Sequence, residues 1–204
     1  MKTLRSAFTP SLYGVLAFSA VTLAGCAAPA FVTPVEVTRF TGDAPSQLGR
    51  GTISIAASSS LDPESLEFSL YSAELAEQLS ALGYDVVGGD AAQIAVIELD
   101  QFTNQPERRS PVSVGGSAGT GSYGSGVGLG VGINLSPPPA DEIDTTVAVY
   151  IQPADGGTNL WEGRASFTAT TNSEFADPSM AANRAIRALF TDFPGSSGET
   201  IVVE

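Results

Sequence analysis

The chain contains no histidine, one cysteine and one lysine in its 204 residues. Without histidine it lacks the usual base that activates a serine or cysteine nucleophile, and it lacks the commonest protein ligand of zinc. A single cysteine cannot form a disulfide within the chain or supply a cluster of thiolate ligands. We therefore expect no catalytic residue, no cofactor and no metal site, and we expect that the protein is not an enzyme.

Positive charge is scarce as well. Nine Lys and Arg stand against 22 Asp and Glu, which gives a formal net charge of −13. Phosphate groups are held by clustered Lys and Arg, so the composition argues against a nucleic-acid partner and against anionic lipid headgroups as the main ligand. The acidity favours a well-solvated domain, with a basic partner or bound divalent cations as the alternative.

The first 25 residues are organised like an export signal. Lys2 and Arg5 give a positive start, an apolar stretch runs from Tyr13 to Leu23, and small residues precede Cys26. The stretch is shorter than the ~20 apolar residues of a membrane-spanning helix. We predict that residues 1–25 are a signal peptide that is removed. The remaining 179 residues then carry seven basic and 22 acidic side chains, a formal charge of −15.

The run Leu23-Ala24-Gly25-Cys26 resembles the lipobox of bacterial lipoproteins. The resemblance implies a diacylglycerol thioether on Cys26, cleavage before it and an acylated N-terminus. Two or three acyl chains hold a protein stably on a membrane. The implied partner is therefore a membrane of the bacterial cell envelope, bound through lipid on Cys26. Ala27 in place of an aspartate implies the outer membrane, facing the periplasm. An ordinary secretory signal that leaves a free cysteine is the alternative.

The remaining chain is long enough for one domain with a hydrophobic core. Residues 26–34 are interpreted as a lipidated N-terminus and tether, in which Pro29 and Pro34 discourage helix and strand alike. Residues 35–194 are predicted to form a single α+β domain. Residues 195–204 form a C-terminal tail that is either loose or an edge strand through Ile201 to Val203.

Apolar spacing predicts the elements of this domain. Period-two alternation predicts strands at Val35 to Phe40 and Gly51 to Ala56. Asp62-Pro63-Glu64 and Asp177-Pro178 each place a capping acid before a proline, which is typical of a helix start, and Gly83 and Pro194-Gly195 are the expected stops. The predicted buried stripes are Phe68, Tyr71, Leu75, Leu79 and Leu82 in the first helix, and Ala182, Ile186, Leu189, Phe190 and Phe193 in the second.

Two hairpins are predicted. The first joins Tyr84 to Val87 with Gln93 to Phe102, and the second joins Thr145 to Gln152 with Leu160 to Thr170. Trp161 is expected in the core, with Glu162 and Arg164 at the surface. The predicted fold class is α+β, with an antiparallel or mixed sheet of about five to six strands, two helices packed on one face and a Gly-rich insertion.

The insertion, residues 113–140, lies between the two predicted hairpins. Nine of the 23 residues from Ser113 to Leu135 are glycine, and five aliphatic residues alternate with glycine near its end: Val127, Leu129, Val131, Ile133 and Leu135. Three structures fit this pattern. It is typical of a mobile loop, of a long hairpin on the sheet, or of an exposed apolar patch that meets lipid or a partner.

Three further patterns are weak indicators of chemistry. Gly115 to Gly119 fits the G-x-S-x-G elbow of serine hydrolases but has no base to activate Ser117. Gly119 to Gly124 fits G-x-G-x-x-G without the strand and helix that a dinucleotide site requires. Asp141-Glu142-Asp144 lacks the spacing of a calcium loop and favours a solvated approach to the next strand.

Several short runs resemble domain-of-unknown-function family 4136, whose members are envelope lipoproteins of Gram-negative bacteria. The runs are Leu79-Ser80-Ala81-Leu82-Gly83-Tyr84, Ile94-Ala95-Val96, Leu160-Trp161-Glu162-Gly163-Arg164-Ala165 and Phe193-Pro194. The resemblance implies fold and location, and it carries no catalytic residues. We therefore expect a membrane-anchored lipoprotein that is a non-enzymatic binding or accessory component with an envelope protein partner. The alternative is a carboxylate-dependent enzyme acting on an envelope polymer.

Overall fold

The computed structural model describes residues 28–107, 110, 112–121, 124–134 and 136–204. The chain divides into two compact units, which we describe separately. Pro29–Arg108 and Pro139–Glu204 form one unit, called the sheet domain here, and Arg109–Pro138 belongs to the other. The elements, in chain order, are β1 Val35–Thr41, β2 Thr52–Ala57, α1 Leu66–Ala81, β3 Asp85–Val86, β4 Gln93–Asn104, β5 Val112–Gly121, β6 Gly124–Ile133, β7 Glu142–Pro153, β8 Trp161–Thr170, α2 Pro178–Leu189 and β9 Thr200–Val203.

The sheet domain is built on a mixed seven-stranded sheet. Its strand order is β3-β2-β4-β7-β8-β1-β9. β2 runs parallel to β3 and β4, and every other neighbouring pair is antiparallel. The α+β class with a mixed sheet is confirmed, but the expected count of five to six strands is too low. The additional strand is β9, which takes the edge-strand alternative for the C-terminal tail and pairs antiparallel with β1.

The first predicted hairpin is wrong. β3 and β4 are not neighbours, because β2 lies between them and pairs in parallel with both. Helix α1 carries the chain from the end of β2 back to the start of β3, which is the crossover that a parallel pair requires. The Asp85 amide then donates to the Gly51 carbonyl at 2.9 Å. Local turn residues cannot reveal that a third strand occupies the gap.

The second predicted hairpin is confirmed. β7 and β8 are antiparallel, with Val147 opposite Ala165 and Ile151 opposite Trp161. Alternate residues of both strands face the core, because successive side chains in a strand point to opposite faces. This hairpin forms the middle of the sheet.

The two helix starts differ from each other. Asp177 caps α2 as predicted, since its side chain accepts from the amides of Ser179 and Met180, and Pro178 begins the helix. Helix α1 instead begins three residues later than Asp62-Pro63-Glu64 indicates. Its cap is Ser65, whose hydroxyl accepts from the Phe68 amide at 3.1 Å. Asp62 organises the preceding turn, and so a capping acid before proline is not by itself a helix start.

Both helices pack on one face of the sheet and against each other. Buried residues of α1 are Tyr71, Leu75 and Leu79, and those of α2 include Ala182, Ile186 and Leu189. The Asn183 amide donates to the Glu74 carboxylate at 2.8 Å and joins the two helices. The predicted arrangement of two helices on one face is therefore present.

Trp161 anchors this core, as predicted. It is fully buried, and its ring centroid lies 5.1 Å from those of both Phe190 and Phe193. Its indole Nε1 donates to the Pro194 carbonyl at 2.9 Å, which satisfies the polar atom inside an apolar cluster. The indole thereby fixes the chain just after α2 against β8.

Gly163 makes room for this indole, and an alanine there is expected to destabilise the fold. A Cβ at Gly163 would collide with Cη2 of Trp161 and would lie 2.8 Å from Cδ1 of Leu189. Overpacking of this kind costs about 1–3 kcal/mol. Chemical unfolding of Gly163→Ala should show that loss. The matched control is Gly88→Ala, where a Cβ meets nothing within 4 Å. Equal stability of both variants would contradict the packing described.

Tyr71 offers a test through pH. Burial raises the pKa of its hydroxyl and nearby Glu67 raises it further. Among the described residues the buried hydroxyl has no hydrogen-bond partner. Tyr71→Phe should therefore be at least as stable as wild type near pH 7. Below the usual tyrosine pKa of about 10, Tyr71 is neutral in both the folded and the unfolded state, so pH does not change the difference in stability between the two proteins. Above that pH the unfolded wild type ionises at Tyr71 while the folded hydroxyl stays neutral, so the wild type should lose stability relative to the variant. Urea unfolding of the two proteins at pH 7 and above about pH 10 measures these differences. A less stable variant at pH 7 would show that the Tyr71 hydroxyl makes a hydrogen bond in the folded protein.

Candidate functional site

The second unit contains an exposed two-stranded ribbon, formed by β5 and β6. The strands are antiparallel, with Val112 opposite Ile133 and Val114 opposite Val131. All four side chains are exposed, by 53%, 70%, 73% and 67% respectively. Residues two apart in a strand share a face, and directly paired residues share it too, so the four side chains form one apolar face. Where these strands run, the segment is a two-stranded ribbon and not an irregular loop.

The opposite face of the ribbon carries only glycine and serine where its residues are described. It carries Ser113, Gly115, Gly130 and Gly132, and the Ser113 hydroxyl donates to the Gly132 carbonyl at 3.4 Å. A Cβ at Gly132 would lie 2.7 Å from the Ser113 oxygen, whereas one at Gly115 would meet nothing within 4 Å. The sequence has no charged residue from Ser110 to Ser136. The ribbon therefore combines an apolar face, a glycine and serine face, and no charge.

The two glycine motifs lie within this ribbon. Gly115 to Gly119 are part of β5, and Gly124 begins β6. A nucleophile elbow needs a turn from strand to helix, and a dinucleotide site needs a helix after its glycines. A strand follows both motifs instead, so neither has the structural context of its chemistry.

The acidic run Asp141-Glu142-Asp144 is not brought together as a cation site. Asp144 accepts from the Thr168 hydroxyl at 2.5 Å and from the Asn104 amide, and Asp141 accepts from the Gln105 amide at 3.5 Å. Within the described part of the chain, no group of three or more His, Cys, Asp or Glu residues is placed to hold a metal ion. These carboxylates tie β4, β7 and β8 together at one end of the sheet.

A polar cluster lies on the sheet face opposite the helices. The Tyr150 hydroxyl donates to the Glu98 carboxylate at 3.2 Å, and Glu162 and exposed Arg164 are nearby. Burial raises the pKa of Tyr150, Glu98 raises it further, and a hydrogen bond with Arg164 opposes the shift. A tyrosine held neutral in this way is a hydrogen-bond donor and a poor base at neutral pH. Arg164 lies at the surface as predicted, while Glu162 is half-buried.

Two arginines whose roles were not predicted from the sequence bind backbone carbonyls. Arg39 is 4% exposed, its Nη2 lies 3.5 Å from the Ala188 carbonyl, and its pKa is lowered by burial against the opposing charges of Asp192 and Glu199. Cations are favoured beside the last carbonyls of a helix. The signal was available, because Arg39 continues the inward alternation of Val35 and Val37. Arg39 therefore holds the end of α2 against β1.

Arg184, the second of these arginines, stacks on aromatic rings. Its guanidinium lies 4.7 Å from the Phe175 ring centroid and donates to the Thr33 carbonyl at 3.0 Å. Arg184 and Arg187 also line an open depression of about 460 Å³. Glu204 also lines this depression, so the depression carries both positive and negative side chains.

Cys26, the predicted lipidation site, lies outside the described residues. The described chain that follows it is attached to the sheet domain. The Phe31 amide donates to the Thr170 hydroxyl and the Thr33 amide donates to the Thr168 carbonyl, both at 2.9 Å. The backbone is thus attached to β8 from Phe31 onward. None of the described helices has the length and apolarity to cross a bilayer.

The chain was compared with family models, curated proteins and solved structures. No family model matches the chain. An uncharacterized protein of Zymomonas mobilis subsp. mobilis is 34% identical over 61 residues, which are 30% of this chain and 23% of that protein. The chain therefore covers less than a quarter of the length of this relative.

Two solved structures are similar at low scores. A PDZ domain protein from Parabacteroides distasonis has a TM-score of 0.46 at 14% identity, covering 91% of this chain and 41% of that chain. A PelC dodecamer from Paraburkholderia phytofirmans has a TM-score of 0.41 at 11% identity, covering 78% of this chain and 95% of that chain. Similarity at this level carries no argument about function.

The polar cluster on the open face can be tested by titration. Glu98→Gln removes the negative charge that opposes ionisation of Tyr150, so the pKa of Tyr150 should fall. Ultraviolet absorbance titration measures tyrosinate, and a parallel titration in the Tyr150→Phe background identifies its share. Asp100→Asn, on the same strand and face, is the control and should leave the Tyr150 titration in place. An unchanged Tyr150 pKa in Glu98→Gln would contradict the described hydrogen bond.

Proposed function

We propose that this protein is a lipid-anchored lipoprotein of the bacterial envelope that works as a non-enzymatic binding or accessory component. Lipid on Cys26 holds it to the membrane, and the apolar face of the ribbon is its contact surface. The observation that carries the binding role is the pairing of four exposed aliphatic side chains, Val112 with Ile133 and Val114 with Val131.

Folding alone gives no reason to keep these side chains apolar. They are more than half exposed, so they contribute little to a core, and exposed aliphatic side chains placed side by side favour association. Long two-stranded ribbons are also only marginally stable in water. A contact that covers the apolar face would stabilise the ribbon and remove the exposed surface together.

The carboxylate-dependent enzyme is the weaker candidate. Glu98 is engaged by Tyr150, and Asp144 is engaged by Thr168 and Asn104. Each of these carboxylates holds neighbouring strands of the sheet together. Tyr150, with its pKa raised by burial and by Glu98, is poorly suited to take a proton at neutral pH.

The anchor is tested by Cys26→Ser. The variant should move from the membrane fraction to the soluble fraction, because a serine cannot form the thioether that carries the diacylglycerol. Membrane fractionation with immunoblotting measures the distribution, and mass spectrometry measures the loss of acyl mass. Ala27→Ser keeps the Leu23 to Cys26 run and is the matched control that should remain on the membrane. Retention after a carbonate wash of Cys26→Ser protein from which residues 1–25 have been removed would refute the anchor.

A further inference from the structure

We propose that the apolar face of the ribbon binds lipid. Its four side chains, Val112, Val114, Val131 and Ile133, insert among the acyl chains at the surface of the bilayer that holds the lipid anchor. The ribbon is then a second membrane contact. This inference deepens the proposed function and rests on it for the position of the protein beside a membrane.

Charge separates the ribbon from the rest of the protein. All 22 acidic residues lie outside the segment from Ser110 to Ser136, and that segment has no basic residue either. Charged side chains are expensive to place in hydrocarbon, so an uncharged segment in a strongly acidic chain fits a lipid environment. A basic protein partner would instead be attracted to the acidic surfaces elsewhere.

The chemistry of the apolar face also favours lipid over a specific protein partner. Its described side chains are three valines and one isoleucine, with no aromatic or arginine residue of the kind that dominates protein interfaces. Flat glycine-rich strands define their register weakly. A fluid hydrocarbon surface tolerates such variation, whereas a shaped protein pocket does not.

Unpaired backbone groups limit how deeply the ribbon can insert into the bilayer. In the part of the chain that is described, β5 and β6 pair only with each other, so the outer edge of each strand keeps free amides and carbonyls. Unpaired backbone groups are not tolerated within the hydrocarbon core. The ribbon therefore lies along the interface, with the apolar face toward the acyl chains and the Ser113 and Gly132 face toward the headgroups and water.

The anchor brings the sheet domain close to a bilayer. The backbone is attached to β8 at Phe31, five residues after Cys26, which limits the distance from the lipidated residue to about 17 Å. The anchor therefore keeps the sheet domain against the bilayer surface.

The first test uses the anchored protein in vesicles that contain brominated phosphatidylcholine. Trp161 is fully buried, so a tryptophan introduced at an exposed position supplies the lipid-sensitive signal. Val131→Trp should show blue-shifted emission that is quenched by bromine at shallow acyl positions. Val202→Trp, at an exposed valine of β9, is the matched control and should not be quenched. Co-flotation of protein and vesicles is recorded for every sample.

The outcomes distinguish the anchor from the ribbon. If Val131→Trp does not float with vesicles, the anchor fails and the proposed function falls with it. If the protein floats but Val131→Trp is no more quenched than Val202→Trp, the anchor stands and insertion of the ribbon is refuted. If Val131→Trp is blue-shifted without quenching and the protein sediments as an oligomer, a second copy covers the apolar face and the lipid proposal is overturned.

The second test removes the anchor and measures the ribbon alone. The mature chain, residues 26–204, carrying Cys26→Ser should still bind phosphatidylcholine vesicles weakly. Adding Val114→Ser and Val131→Ser should lower its partition coefficient by about tenfold, since less apolar area is buried. Adding Val202→Ser should leave it unchanged. Phosphatidylglycerol should weaken binding, because the acidic protein is repelled by anionic headgroups. Equal binding by the ribbon and Val202 variants would refute the proposal.

Discussion

The sheet domain depends on the close approach of α2 to β8. Gly163 has no side chain, so the Trp161 indole lies directly above it, next to Leu189 of the helix. The indole then stacks on Phe190, packs at a tilt against Phe193 and donates to the Pro194 carbonyl. Arg39 reaches the same helix end from β1 through the Ala188 carbonyl. With α2 held at its C-terminal end, the chain returns to add β9 beside β1, and α1 packs on the neighbouring part of the sheet.

The two units are stabilised in different ways. The sheet domain buries large apolar side chains between one face of the sheet and two helices, and its buried Arg39 and Gln93 side chains contact backbone carbonyls. The ribbon is held by the backbone hydrogen bonds between its two strands, and its described aliphatic side chains point to solvent. Apolar area that is not used for folding remains available for binding. That contrast is why the proposed contact surface lies on the ribbon, although the deepest packing lies in the sheet domain.

The candidate site could be foreseen in part. Alternation of Val131 and Ile133 with glycine indicated a ribbon with one apolar face, but it equally fitted a loop. The decisive fact is the register, which places Val112 opposite Ile133 and Val114 opposite Val131. Register is a relation between two strands, so neither strand's sequence specifies it alone. Cys26 differs in kind, because its proposed role depends on a short linear motif that needs no fold.

The sequence by itself determined six strands and two helices of the sheet domain, that Trp161 lies in the core, and that Asp177 caps α2. These features follow from local periodicity and local capping, which act over a few residues. Only the tertiary structure decided that β2 separates β3 from β4, that β9 closes the sheet beside β1, and that the Arg39 guanidinium meets the Ala188 carbonyl at the end of α2. Each of these is a contact between segments far apart in the chain, chosen because it buries apolar area and satisfies backbone groups together.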